Sequence, residues 1–492
     1  MTNPVLAALF SALEPSRFLF LTIGTLLGLL VGGIPGLTAL MLISLSLPLT
    51  FYMHSADALA MLVGMYVGGI SGGAVTAVVL GIPGTPSSIL TTFDGHGLAK
   101  RGKTELALAW AVCASFFGSL VSWVFLASLS VPLARFALRF GPFDLFGLCL
   151  LALVTIIAVS RGDMLLGLIS GALGVLLSMV GTDPIGGDYR LTFDILDLAS
   201  GLDVLPVLVG LFAGAAVLEW AFGLDTSAAP PPARTMRLSL PIRDVLGRWW
   251  SFLRSSLLGV GIGILPGIGG NIGSIIAYSA AKAQSRDKDS FGTGNVDGII
   301  ASEAGNNATV GGALIPLIAL GIPGSVIDVV LIGALTIHNI QPGPYLFRNN
   351  PEIVYVVISA MLIASIIMFA ALWWGAGLIT QFARVKRSIL FPLIAVFSLL
   401  GSFALANRWF DVGVMAAFSV LGLIMARGKV PVGPFVIGLV LGPVVEKYYR
   451  VGLMATGGDH LPMLTSPVSA VCLLATVVLL IWPFVRARGA HG

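Results

Sequence analysis

The sequence predicts an all-α polytopic membrane protein with an inverted-topology repeat. It should have about 11–14 membrane segments, some of them broken or re-entrant helices at the bilayer midplane. Three observations predict this. The chain is apolar from end to end. The string LGIPG recurs in two apolar segments, starting at Leu80 and Leu320. The charges that flank those two segments differ in a way that places matching loops on opposite sides of the membrane.

The 492 residues have a mean hydropathy of +0.99; 57% are hydrophobic and 10% charged. Soluble domains carry roughly 25% charged residues. Apolar runs of about 17–25 residues recur throughout, each long enough to cross a bilayer, so no soluble domain is expected. The net charge of +4 does not point to nucleic acid, because Lys and Arg here mark cytoplasmic loops and form no basic surface. Cys113, Cys149 and Cys472 lie in apolar runs without ligand-like spacing. They read as buried thiols, and no metal site is expected. The N-terminus lacks a basic n-region, and the run 18–31 leads into Gly-Gly-Ile-Pro-Gly, so no cleavable signal peptide is read.

In chain order, apolar runs lie at about 17–33, 36–52, 58–80, 105–131, 142–160, 163–181 and 203–222. Residues 1–222 are read as the first repeat half plus scaffold helices. A Pro- and Arg-rich cytoplasmic linker follows at 223–254. Residues 255–380 form the second repeat, with runs at about 255–280, 298–321, 325–340 and 353–380. Residues 381–492 form C-terminal scaffold helices. Basic clusters at Lys100, Arg101 and Lys103, in the linker, at Arg384, Lys386 and Arg387, and at Arg427 and Lys429 should face the cytoplasm. Loop 182–203, with Asp183, Asp188, Asp194, Asp197 and Asp203 against one Arg190, is free to be external.

The repeat aligns GMYVGGISGGAVTAVVLGIPGTP (64–86) with AGNNATVGGALIPLIALGIPGSV (304–326). A second pair lies upstream, GLLVGGIPGLT (28–38) with GVGIGILPGIG (259–269). The loop after the first LGIPG is basic; the loop after the second, HNIQPGPYLFRNNPE (338–352), holds a single Arg. Such matching loops on opposite sides are the mark of inverted repeats.

Pro removes a backbone donor and Gly loosens a helix. In hydrocarbon, broken backbone survives only where protein or a watery cavity meets it, so paired breaks point to a transport site. Helix N-termini beyond the breaks suit an anion, and the carbonyls before them suit a cation. On that basis the substrate-binding candidates are Thr85, Ser87, Ser88, Asn306, Asn307 and Asn271, with Gly36, Gly84, Gly267 and Gly324 at the breaks. Hydroxyls and amides bind carboxylate oxygens without a fixed cation in the membrane. The cation-coupling candidates are Glu303, Ser71, Gly81 and Gly321; Asp328, just beyond the second break, is a further intramembrane acid. Asp94 and His96 read as solvated loop residues.

Two short motifs compete. Residues 97–104 fit G-x-x-x-x-G-K-[ST], but no strand or nucleotide domain precedes them. Gly69-Ile70-Ser71-Gly72 resembles the G-x-S-G of rhomboid-like intramembrane serine proteases, which need a His base. His54, His96, His338 and His460 all lie near predicted loops. No catalytic residue is assigned, and the chain is read as a transporter rather than an enzyme.

GGIPGLTALMLISLSLPLTF, GMYVGGISGGAVTAVVLGIPGTPSSILTTFDGHGLAKRGK and EAGNNATVGGALIPLIALGIPG resemble the large membrane subunit of the bacterial tripartite tricarboxylate transporter family. The resemblance runs from about residue 17 to the last spanning run. It implies a multi-pass secondary transporter of the bacterial inner membrane that imports a di- or tricarboxylate such as citrate. It also implies a small membrane subunit and a periplasmic solute-binding protein as partners. The implied coupling ion is Na+ or H+, with no other cofactor. The family's motifs fall on Gly33-Ile34-Pro35-Gly36, on 81–86, on Glu303-Ala304-Gly305-Asn306-Asn307 and on 321–324. A stand-alone organic-anion carrier is the main alternative, ahead of a channel or a protease acting through Ser71.

Overall fold

Helices fill nearly all of the computed structural model, which describes residues 13–34, 37–159, 164–183, 185–223, 236–265, 269–382 and 387–489. In chain order they are α1 (Pro15–Gly32), α2 (Ala39–Thr50), α3 (Ser55–Leu80), α4 (Ile89–Lys100), α5 (Thr104–Ala137), α6 (Pro142–Val159) and α7 (Met164–Ser178). Then come α8 (Val204–Ala221), α9 (Trp249–Ile264), α10 (Gly269–Gln284), α11 (Val296–Leu320) and α12 (Val326–Ile337). The last are α13 (Pro351–Phe382), α14 (Arg387–Ala406), α15 (Trp409–Arg427), α16 (Val432–Ala455) and α17 (Pro467–Gly489). Among the described residues the strand content is one antiparallel pair, Gly181–Thr182 with Tyr189–Arg190. Helices α1, α3, α5, α8, α13 and α15 contain stretches long and apolar enough to cross a membrane. The chain is an all-helical polytopic membrane protein.

Residues 224–235, the first part of the expected linker, lie outside the described residues. The rest of it is structured: Ile242–Gly247 forms a helical turn and α9 begins at Trp249. Arg248 reaches Asp297 at 2.6 Å and lies over the Trp110 ring.

The chain forms two compact units. One contains residues up to Ala134, Glu219–Leu265 and Gly269–Phe397. At its centre α3 and α11 are enclosed almost completely by protein. Small residues explain this, since they let backbones approach in lipid, where no hydrophobic drive separates helix from solvent. A methyl group on Gly28 would stand 2.6 Å from the Met65 carbonyl oxygen, and one on Gly32 2.2 Å from that of Gly69. In the second half, Gly259 meets the Gly305 carbonyl at 2.3 Å and Gly263 that of Thr309 at 2.6 Å by the same measure. The reverse contacts, Gly72 on Leu29 and Gly312 on Val260, also recur. The two repeat alignments pair Gly28 with Gly259, Gly32 with Gly263, Met65 with Gly305 and Gly69 with Thr309. The repeat is therefore a repeat of packing, contact for contact.

The other unit contains Arg135–Leu218 and Ser398–Gly492. Here α7 crosses α16 through Gly171, Gly174 and Gly438, α16 and α17 cover α6, and α15 packs on α8. Loop 181–203 is tied down by charge. Arg450 holds both Asp183 oxygens at 2.8 Å, Arg190 binds Glu446, and Arg408 binds Asp203 and Asp411. The Arg450 hydrogen bond, helped by the Ile185 N–H, holds the Asp183 carboxyl down at about 2. A depressed acid stabilises the fold above its unfolded value, about 3.9, and that support goes as pH falls through the folded value. Asp183→Asn is expected to speed proteolysis of loop 181–203 several-fold at pH 7. Its difference from wild type should shrink as pH falls from about 4 to about 2, as read by timed digestion in detergent with an acid-active protease.

Candidate substrate and ion site

The two breaks have the same geometry. Helix α3 stops after Leu80 because Gly81 turns left-handed at φ 69°, and α11 stops after Leu320 because Gly321 does so at φ 73°. Each break then runs through Pro-Gly to an extended residue, Thr85 or Ser325, that starts the next helical piece. The first is the short turn Pro86–Ser88 running into α4; the second is α12. These starts leave backbone N–H groups without helical partners and place partial positive charge inside the protein. Gly84 lies against the Gly32 carbonyl and Thr76, and Gly324 against Ala313 and Gly263, so neither break has room for a larger residue.

Each half encloses the other's break. Helix α10 packs on the Pro86–Ser88 turn, and α2 packs on α12. Position 66 and its repeat partner 306 reach across in the same way. The Tyr66 hydroxyl lies 3.1 Å from Ser325 Oγ, at the second break. The Asn306 amide lies toward the first. A methyl group on Gly270 would stand 2.9 Å from Asn306 Oδ1, 3.1 Å from Thr309 Oγ1 and 3.7 Å from Ser87 Cβ, so all three surround one glycine.

Asn306 is fully buried, close to Glu303, and neither Oδ1 nor Nδ2 makes a hydrogen bond of good geometry. The Ser274 hydroxyl, on α10, is buried and unpartnered as well. Buried polar groups are nearly always paired, so such a group keeps hydrogen-bonding capacity that a water, an ion or a ligand can use. Thr85 Oγ1 lies 3.1 Å from Ser87 Oγ and 3.0 Å from Ser88 Oγ, and all three residues are buried. Hydroxyls, an amide with free capacity and a helix start can together hold a carboxylate.

A second polar cluster joins the halves. Glu303, fully buried, accepts from Thr91 Oγ1 at 2.5 Å and from Ser115 Oγ at 3.2 Å. Asn307 donates to the Glu303 carbonyl at 3.0 Å and accepts from Ser71 Oγ at 2.6 Å. Ser302 Oγ lies 2.8 Å from Thr91 Oγ1. The single Thr91 proton is engaged with Glu303, so Ser302 is the donor in that pair when the acid is ionised. Among the described residues no Lys or Arg pairs with Glu303.

Thus Thr85, Ser87, Ser88 and Asn306 come together at the first break, while Asn307, with its amide already engaged, joins Glu303 and Ser71. Gly81 and Gly321 are the left-handed helix ends. Gly36 and Gly267 lie outside the described residues, as does the side chain of Asn271. Thr91, Ser115 and Ser302 are new to the picture. In sequence they look like small packing residues of apolar segments.

Asp94 corrects an expectation. Far from solvated, it is fully buried and accepts from the backbone N–H groups of Gly292, Gly294 and Asn295 at 2.7–2.9 Å, and from the Tyr278 hydroxyl at 2.7 Å. A carboxylate so supplied with donors fixes the loop before α11 onto α4. His96 is half-buried, with Nδ1 3.0 Å from the Val78 carbonyl. Residues 97–104 form the end of α4, a turn at Gly102 and the start of α5, with no strand before them, which removes the phosphate-loop reading. Ser71 bonds to Val67 and Asn307, and among the described residues no His meets it.

The profile described as "Tripartite tricarboxylate transporter TctA family" matches residues 18–437. An uncharacterized 52.8 kDa protein in the TAR-I ttuC' 3'region of Agrobacterium vitis is 33% identical over 481 residues, covering 97% of this chain and 96% of that protein. An uncharacterized protein in the TAR-II ttuC' 3'region of the same organism is 30% identical over 230 residues, 46% of this chain and 95% of its own length. No solved structure matches. The chain, matched by the profile over most of its length, belongs to the tripartite tricarboxylate transporter TctA family, whose members are the large membrane subunits of such transporters.

Proposed function

We propose that this subunit imports a di- or tricarboxylate such as citrate across the bacterial inner membrane, driven by a Na+ or H+ gradient. A small membrane subunit accompanies it, and a periplasmic solute-binding protein delivers the substrate. The substrate carboxylate sits at the first break against Thr85, Ser87, Ser88 and Asn306, with backbone of the break, including Gly84, close to it. Glu303, with Ser71 and Asn307, lies on the cation-coupling side, linked to the substrate through the Asn306–Asn307 pair. The two halves have opposite orientations in the bilayer, and the site is exposed to each side in turn.

The observation that supports this reading most is the buried amide of Asn306, without an aligned hydrogen bond and beside Ser87. It separates function from stability. Truncating an amide that makes no aligned hydrogen bond leaves its neighbour Glu303 still supplied by Thr91 and Ser115. Asn306→Ala is therefore expected to insert and fold as wild type while carboxylate uptake falls at least tenfold. The assay is uptake of labelled citrate and a panel of other carboxylates in cells lacking the protein and then complemented. Each is run with and without Na+, the binding protein and the small subunit. Uptake by the variant at the wild-type rate removes Asn306 from the site. Uptake without the partners makes the protein a stand-alone carrier.

A further inference from the structure

The two breaks match in backbone but not in charge. Position 88 of the first half is Ser, and its repeat partner, 328, is Asp. Each stands at the start of the helix that follows its break, three residues after Thr85 or Ser325. At the first break, hydroxyls pair with one another and leave a neutral site beside helix N–H groups. At the second, the chain places a carboxylate of its own, Asp328, at the helix start.

Asp328 is fully buried, and neither of its oxygens makes a hydrogen bond of good geometry. A Ser-x-x-Asp pair at a helix start often forms a capping box, in which the acid takes the N–H of the cap residue. Only half of that box is formed. Ser325 Oγ accepts the Asp328 N–H at 3.3 Å, whereas the Ser325 hydroxyl and the N–H groups of Ser325 and Gly324 lie near the carboxylate without an aligned bond. Among the described residues, helices α2, α3 and α11, which pack on α12, bring no positive side chain. Helix α2 carries no ionisable residue, α3 brings Tyr66 and Asp57, the latter paired with Arg17, and the acids of α11 are engaged elsewhere, Glu303 with Thr91 and Ser115 and Asp297 with Arg248.

We propose that the second break binds a Na+-sized monovalent cation rather than a carboxylate end of the substrate, held by Asp328, Ser325 Oγ and the Tyr66 hydroxyl. The carboxylate supplies the charge, and the two hydroxyls are hard oxygen ligands suited to an alkali cation. A buried acid with unused acceptors is costly in a membrane protein until a positive partner meets it. The substrate carboxylate then has one anchoring break, the first. Tyr66 belongs to the first half and Asp328 to the second, so the ion ties the halves at the point opposite the substrate. Its place in the transport cycle rests on the proposed coupled uptake; the binding itself does not.

The test is 22Na+ binding to the purified full-length protein in detergent, with no carboxylate present, so the result is independent of whether uptake is observed. Wild type is expected to bind Na+ saturably. Asp328→Asn is expected to bind one ion fewer per protein, and Tyr66→Phe to bind that ion several-fold more weakly. Thermal unfolding and elution profile show that each variant is folded; where Asp328→Asn is not, Tyr66→Phe and Ser325→Ala decide. The reciprocal change, Ser88→Asp, should reduce carboxylate binding at least tenfold. Wild-type Na+ stoichiometry and affinity in Asp328→Asn overturn the proposal, and so does a wild type that binds no Na+.

Discussion

Gly263→Ala is expected to leave little folded protein after extraction into detergent, whereas Gly261→Ala, two residues away on the same helix, should be extracted as wild type. A methyl group at 263 would stand 2.6 Å from the Thr309 carbonyl oxygen, 2.9 Å from Thr309 Cα and 3.0 Å from Gly312 Cα. All three are backbone or Cα atoms of α11, which is itself enclosed, so relief requires that α9 and α11 separate. At 261 nothing lies within 4 Å. Overpacking costs about 1–3 kcal/mol at ordinary core sites. A clash with backbone in a helix pair that also frames a break should lie at or above the upper end. Each 1.4 kcal/mol is a factor of about ten in the folded population. Gly32→Ala, the equivalent change in the first half, meets the Gly69 carbonyl at 2.2 Å and should be at least as severe. The measurement is the monodisperse fraction by size-exclusion chromatography together with the thermal unfolding midpoint. If Gly263→Ala matches Gly261→Ala in both, the close crossing does not support the fold.

The sequence carries that crossing openly because it is written in backbone chemistry. Gly and Pro in the middle of apolar segments have few uses, and the spacing of Gly28, Gly32, Gly259 and Gly263 follows directly from helix pairs in contact. The left-handed ends at Gly81 and Gly321 are legible for the same reason: helix, Gly, Pro, Gly and then a hydroxyl residue describe a stop followed by a new start. Asn306 also stands out, being an amide inside a helix of small and apolar residues. What stays hidden depends on partners distant in the chain. Asp94 lies six residues before Lys100 in a polar stretch, and its burial comes from a loop about two hundred positions later that supplies three N–H groups. Ser115 and Thr91 look like the hydroxyl residues that line many membrane helices. Only the fold shows that both turn toward Glu303, 188 and 212 positions away. Asp328 is visible as an acid in an apolar helix, but its meaning comes from comparison with Ser88 in a packing that is the same at both breaks.

Glu303→Gln is expected to reduce carboxylate uptake at least tenfold while the protein still folds and inserts. Gln keeps the shape of Glu and one acceptor oxygen, and the hydroxyls of Thr91 and Ser115 can rotate to accept from its amide. The cluster therefore stays hydrogen-bonded, at a cost of about 1 kcal/mol for exchanging charge-assisted bonds for neutral ones. Glu303→Ala removes the acceptor outright. It leaves Thr91 and Ser115 as buried donors without it, each costing about 1–3 kcal/mol if no water enters, so both stability and uptake should fall. The contrast between the two variants separates a structural tie from a coupling acid. A tie needs only hydrogen bonds, which Gln supplies. A coupling acid needs a negative charge that a cation or proton can meet, which Gln lacks. The reading is the initial uptake rate against Na+ concentration and against pH, normalised to protein in the membrane. Near-wild-type uptake by Glu303→Gln, with its cation dependence intact, would make the cluster a clasp between the halves and leave coupling to Asp328. Loss of uptake in a stable Glu303→Gln protein places a charge requirement beside Asn307, one residue from the amide that faces the first break.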